Sequence, residues 1–212
     1  MDSLVDITEF ILKGSLITGE LFFITALFSV PLGCIVAVGK ISKIKPLKAL
    51  LSLYTWAFRG TPLLLQLFFT YFGLPVIGIR LSPLAAASIA FIINYAAYLA
   101  EIFRAGIESV NKGQYEASKV LGMSHCQAMT KIIIPQAARN VIPPICNESI
   151  NLIKDSALVA TIGVGDLLRA AKEVVTRDFT ITPFIIAAVI YLAITSVLVI
   201  VFKKLEKKYS ID

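Results

Sequence analysis

Charge is scarce in this chain. Only 16% of its 212 residues are Asp, Glu, Lys or Arg, against about a quarter in an average soluble domain. Histidine occurs once, at His125, and cysteine three times, at Cys34, Cys126 and Cys146. An odd number of widely spaced cysteines offers no disulfide framework, and no CxxC or HExxH spacing offers a metal site. No GxxxxGK[ST] segment is present, so the chain has no phosphate-binding loop of its own. The N-terminus is acidic and lacks the basic start and small-residue cleavage site of a signal peptide, so the chain is expected to be used whole. What dominates instead is apolar surface: 57% hydrophobic residues and a mean hydropathy of +0.82. That balance argues against a soluble enzyme, a disordered chain or a nucleic-acid-binding domain, although the net charge is +6 and the pI about 9.2.

A membrane-crossing helix needs about 20 mostly apolar residues. Five segments qualify as spans, roughly 17–39, 60–79, 81–103, 132–155 and 179–202. The fourth is the least regular, with Arg139, Glu148 and three prolines inside it. Residues Ser3–Lys13 have the alternation of a short interfacial helix, and Ser156–Gly165 is apolar but too short to cross. No internal repeat is visible, and residues 1–212 read as one membrane domain. With the N-terminus outside, fourteen Lys and Arg fall on the cytoplasmic side, among them Lys40, Lys45, Lys112 and the tail lysines, and five fall outside. The positive-inside rule selects that orientation and places the C-terminus inside.

The cytoplasmic loop 111–131 carries the densest signal. Ala117, Val120, Leu121 and Ser124 share one helical face, and Gly122 can turn the chain through a positive φ. A small apolar face turned away from the bilayer needs a cover, as when a helix docks in a partner's groove.

Polar residues within the apolar spans form three stripes. Arg59, Gln66 and Thr70 are spaced i, i+7, i+11; Asn94, Tyr98 and Glu101 i, i+4, i+7; Glu148, Asn151 and Asp155 i, i+3, i+7. Ionisable groups at membrane depth are costly, which directs them to a cavity or a partner. Depth counted along each span groups Gln66, Asn94, Tyr98, Glu148 and Asn151 around one central cavity, a candidate substrate-binding set. It places Arg59 and Glu101 at the cytoplasmic end, as an inner gate or a structural ion pair. Polar faces on five spans exceed what one thin bundle can bury, which points to a two-fold pairing.

Glu116-Ala117-Ser118, three residues, Gly122, nine residues, then Ile132-x-Ile134-Pro135 resemble the EAA loop of ABC-transporter permeases. Ser118 and Ile134 stand where that motif has Ala and Leu. Arg59-Gly60-Thr61-Pro62, the run Asn94–Glu101, Asn147-Glu148 and Lys154-Asp155-Ser156 are similar to the polar amino-acid branch of the family, the histidine/glutamine-type permeases. The resemblance extends from about Gly14 to Lys208. It implies an all-α membrane protein with a type I ABC importer-like permease fold. Such a subunit is not an enzyme and carries no cofactor; ATP and magnesium belong to a separate P-loop ATPase, which drives alternating access. The implied partners are that ATPase, docked through Glu116, Ala117, Val120, Leu121 and Gly122; a second permease copy or a related permease; an extracytoplasmic amino-acid-binding protein; and membrane lipid. The implied location is the bacterial cytoplasmic (inner) membrane, and no nucleic acid is involved. Glu148 favours a cationic substrate such as arginine, lysine or histidine, with glutamine, cystine or another neutral polar amino acid as the alternative. A channel or secondary transporter would share the spans but not need the docking loop. An intramembrane enzyme would need a base or metal ligands at depth, where this chain has no histidine.

Overall fold

The computed structural model describes residues 4–209, all of whose regular structure is helical. Helix α1 runs unbroken over Leu4–Ile41, and α2 spans Lys45–Gly60. After a bend, α3 (Leu63–Phe68) continues through a π turn and a 3-10 turn to Ile77. Helix α4 (Pro83–Glu108) is followed by the short α5 (Lys112–Val120) and α6 (His125–Ala128). A π turn leads into α7 (Ile134–Asp155), a 3-10 turn follows over Ser156–Ile162, and α8 (Leu167–Asp178) and α9 (Thr182–Tyr209) complete the chain.

Among the described residues, Leu4–Ile41, Pro83–Glu108 and Thr182–Lys208 are long and apolar enough to cross a membrane. The pair Lys45–Gly60 and Leu63–Ile77 passes only when taken together, and it is bent by 103°. Helix α7 has 22 residues, or about 33 Å at 1.5 Å per residue, but its charges, amides and prolines together keep it below the same apolar standard. The segment 60–79, expected as the second span, corresponds to the second half of that bent pair. The short interfacial helix expected near the N-terminus is instead the start of α1, apart from Ser3, which lies outside the described residues.

The centre is the packing of α1 on α4. Small residues permit it. A Cβ on Gly33 would sit 2.9 Å from Leu99 Cβ and 3.2 Å from the Ala96 carbonyl oxygen, so only glycine allows this approach. Ala37, Ala96, Ala97 and Ala100 are buried along the same seam. The main apolar cluster gathers Leu21, Leu67, Phe91, Tyr95, Leu152 and Val159 from five elements of the chain. Toward its start, α1 packs on α8 and α9 through Ile7, Ile11, Leu167, Val174 and Ala187. Helix α9 is apolar on nearly every side but leaves Ile185, Val189, Leu192 and Val197 exposed, a surface matched to lipid rather than water.

Candidate functional site: a polar cavity between the α2–α3 bend, α4 and α7

Pro62 creates the site. Its ring pushes the preceding residue to extended backbone, and Thr61 indeed has φ −116° and ψ 145°. Helix α2 must stop there, leaving its last carbonyls without helical partners. Two side-chain amides take them up. Gln66 Nε2 donates to Phe58 O at 2.9 Å and to Thr61 Oγ1 at 2.8 Å, while Asn94 Nδ2 donates to Phe58 O at 2.9 Å and to Gln66 Oε1 at 3.0 Å. The bend is thereby fastened to the middle of α4, and Arg59 stands beside it.

Between this bend, α4 and α7 lies an open cavity of about 570 Å³. Arg59 and Thr61 line one side, Asn94, Tyr95 and Tyr98 the second, and Glu148, Asn151 and Asp155 the third. The Arg59 guanidinium carbon is 5.3 Å from the Tyr98 ring centroid, a cation–π geometry, and Tyr98 Oη donates to Arg59 O at 3.3 Å. Tyr95 Oη donates to Asp155 Oδ2 at 2.7 Å. The lining carries one cation and two carboxylates, with amide and hydroxyl groups between them. Such a lining can hold a small zwitterion through its ammonium and carboxylate at once.

Four of the five expected cavity residues, Asn94, Tyr98, Glu148 and Asn151, meet here. Gln66 does not line this cavity. The i, i+7 phase from Arg59 holds only along one continuous helix, and the break at Thr61-Pro62 destroys it, so Gln66 serves the bend and borders an apolar groove behind it. Tyr95 and Asp155 were not among the expected set, although Asp155 belongs to the Glu148 stripe. Tyr95 gave no sequence signal apart from its place in the Asn94–Glu101 run.

Arg59 and Glu101 are not brought together. The Glu101 carboxylate is occupied by Lys40, Thr55 and Arg104. Because Asn94 bonds to Phe58 O, Arg59 stands level with the middle of α4, away from Glu101, beside which the sequence count placed it.

The loop after α4 has the form expected of a docking knob. Val120 is 88% exposed and Leu121 76%, and Glu116 and Ala117 are exposed beside them. Gly122 has φ +72°, with Met123 N donating to Ser118 O and Gly122 N to Lys119 O, so the helix closes in a glycine-dependent turn. Ser124 and Gln127 then form a capping box that starts α6. Tyr115 Oη donates to Ile107 O, and burial, with Glu108 nearby, raises the Tyr115 phenol above its ordinary value and keeps it a neutral donor.

Residues 29–211 match the family described as binding-protein-dependent transport system inner membrane component. The chain is 40% identical over 201 residues to the arginine transport system permease protein ArtQ of Bacillus subtilis, covering 94% of this chain and 92% of that one. It is 41% identical over 201 residues, 93% and 86% of the two chains, to the L-cystine transport system permease protein TcyB of the same organism. A solved amino acid ABC transporter, crystallised with histidines, superimposes with a TM-score of 0.92 at 39% identity, over 98% of this chain and 99% of that one. The inward-facing MetNI methionine ABC transporter shares the fold, with a TM-score of 0.77 at 17% identity over the whole of both chains. The chain belongs to the binding-protein-dependent transport inner membrane family, and so is a non-catalytic permease subunit of an ABC transporter.

Proposed function

We propose that this chain is the permease of an ATP-driven importer of polar amino acids, with a cationic amino acid such as arginine, lysine or histidine as its substrate. The observation that carries the substrate class is the cavity lining, where Glu148 and Asp155 face Arg59. A zwitterion presents one ammonium and one carboxylate; Arg59 can meet the carboxylate, and two acidic groups leave one for a second cation. Charge-assisted pairs of this kind are about twice as strong as neutral hydrogen bonds. The similarity to an arginine permease and to a transporter crystallised with histidines supports this reading. Relatives named for glutamine and cystine support the alternative, in which a carboxylate takes only the α-ammonium common to all amino acids.

In this reading the chain sits in the bacterial inner membrane, with five spans, the N-terminus outside and the C-terminus inside. The bent α2–α3 pair is the second span and α7 the fourth. The substrate set is Asn94, Tyr98, Glu148 and Asn151, with Asp155. Glu116, Ala117, Val120, Leu121 and Gly122 dock on a P-loop ATPase that holds ATP and magnesium. A second permease, the same or related, and an extracytoplasmic binding protein complete the importer.

Glu148→Gln preserves size and removes one charge. Uptake by the reconstituted complex is measured for arginine, lysine, histidine, glutamine and cystine. The expected result is a roughly tenfold or greater loss in apparent affinity for the cationic substrates, the scale of one charge-assisted pair, and a smaller loss for glutamine and cystine. Equal losses for all five favour α-ammonium binding; unchanged uptake of all five removes Glu148 from the site.

A further inference from the structure

Lys40 is the most deeply buried charge in α1. Its side chain is 7% exposed, in the last turn of that helix, and its ammonium meets Glu101 of α4 and Thr55 Oγ1 of α2, the latter at 2.6 Å. Three helices thus converge on one cation. The Glu101 carboxylate has two faces. Oε1 meets Lys40 and Thr55, while Oε2 accepts from Arg104 Nε at 2.8 Å. Arg104 Nη1 in turn donates to Glu108 Oε2 at 2.5 Å, in the final turn of α4.

Both ends of this series lead to functional parts of the chain. At one end, Thr55 lies one helical turn before Arg59 on α2, so fixing Thr55 fixes the cation that lines the cavity. At the other, the end of α4 is held to the docking loop by the Tyr115 hydrogen bond to Ile107 O, while Val110, just after α4, packs with Ile133 and Ala137 at the start of α7. A buried ion pair is often no more stabilising than apolar side chains of the same volume, so adhesion alone does not call for charges at this junction.

We infer that Lys40, Glu101 and Arg104 are positioning residues: a ladder of charges that joins the α5 docking loop to the Arg59–Tyr98 side of the cavity. Displacement of the loop is passed along α4 through Glu108, Arg104 and Glu101, and Lys40 with Thr55 makes α1 and α2 follow as one body. The ladder thereby sets where Arg59 and Tyr98 stand across the cavity from Glu148 and Asp155 on α7. This rests on the transport reading above.

The test uses the full complex in proteoliposomes with its ATPase and binding protein. The readout is the ratio of substrate-stimulated to basal ATP turnover, with arginine, glutamine and cystine each offered as substrate. Lys40→Met with Glu101→Met replaces the pair by apolar side chains and should retain thermal stability near wild type. Arg104→Gln alters a side chain that is 31% exposed and so tolerates change. Each variant is expected to lose roughly five- to tenfold of the stimulation ratio, the lower range of coupling between two sites. Wild-type ratios in both variants overturn the ladder. A wild-type complex that none of the three amino acids stimulates overturns the transport reading, and the ladder with it. A stimulated wild type with unaffected variants overturns the ladder alone. Should the double variant prove unstable, the Arg104→Gln ratio decides.

Discussion

Leu121→Ala is the cleanest perturbation of the docking loop. Leu121 keeps 76% of its surface exposed on the free chain, next to Val120 at 88%, so removing it leaves no cavity behind. Fully burying a leucine side chain is worth about 1.5–3 kcal/mol. Three quarters of that is roughly 1–2 kcal/mol, so truncation should weaken binding of the ATPase by about 5- to 30-fold. Leu121→Asp should weaken it further, because a charge would be buried without a partner. Gly122→Ala separates shape from contact. Nothing lies within 4 Å of its added Cβ, but φ is +72°, so the cost is backbone strain of about 1–2 kcal/mol and not a clash. The assay is titration of the purified ATPase onto the permease in nanodiscs, with circular dichroism to confirm unchanged helix content. Wild-type affinity in both Leu121 variants would refute the docking role of this face.

Two further predictions concern the frame. Gly14→Ala should lower the melting temperature, since the new Cβ would lie 2.8 Å from the Asp166 carbonyl oxygen and 3.0 Å from Leu167 Cα, backbone atoms that cannot swing aside; overpacking of this kind costs roughly 1–3 kcal/mol. Gly19→Ala on the same helix meets nothing within 4 Å and should not lower it, so equal effects at the two sites would refute the close-packing argument. Lys112→Cys, in a background lacking Cys34, Cys126 and Cys146, should resist an impermeant thiol reagent applied from outside and react after permeabilisation. Labelling from outside would reverse the orientation.

The loop 111–131, proposed above to dock on the ATPase, was the most legible part of the sequence because its signals are local. A glycine that can turn the chain and an apolar face lie within a few residues, and the structure has both, although Ser124, counted on that face, instead caps the next helix. Helix α4 was legible for a similar reason, as an uninterrupted apolar run. The α2–α3 region was not, because Lys45, Lys48 and Arg59 make α2 look like a cytoplasmic loop in a hydropathy window, while Pro62 ends the helix on which the Arg59–Gln66 phase was counted. The partner of Glu101 was hidden differently. Lys40 lies 61 residues away, and its burial depends on how closely α1 approaches α4 and α2. Glu148, Asn151 and Asp155 were readable as a stripe because α7 stays helical through Pro143 and Pro144.

The central claim is that this permease moves an amino acid at the expense of ATP hydrolysed by a separate subunit. It is tested most directly by filling proteoliposomes that contain the permease and its ATPase with ATP and magnesium, and supplying the binding protein and labelled arginine on the opposite face. Arginine should accumulate, should stop accumulating when a non-hydrolysable ATP analogue replaces ATP, and should still accumulate when ion gradients are collapsed. Accumulation driven by an ion gradient without ATP would contradict the claim.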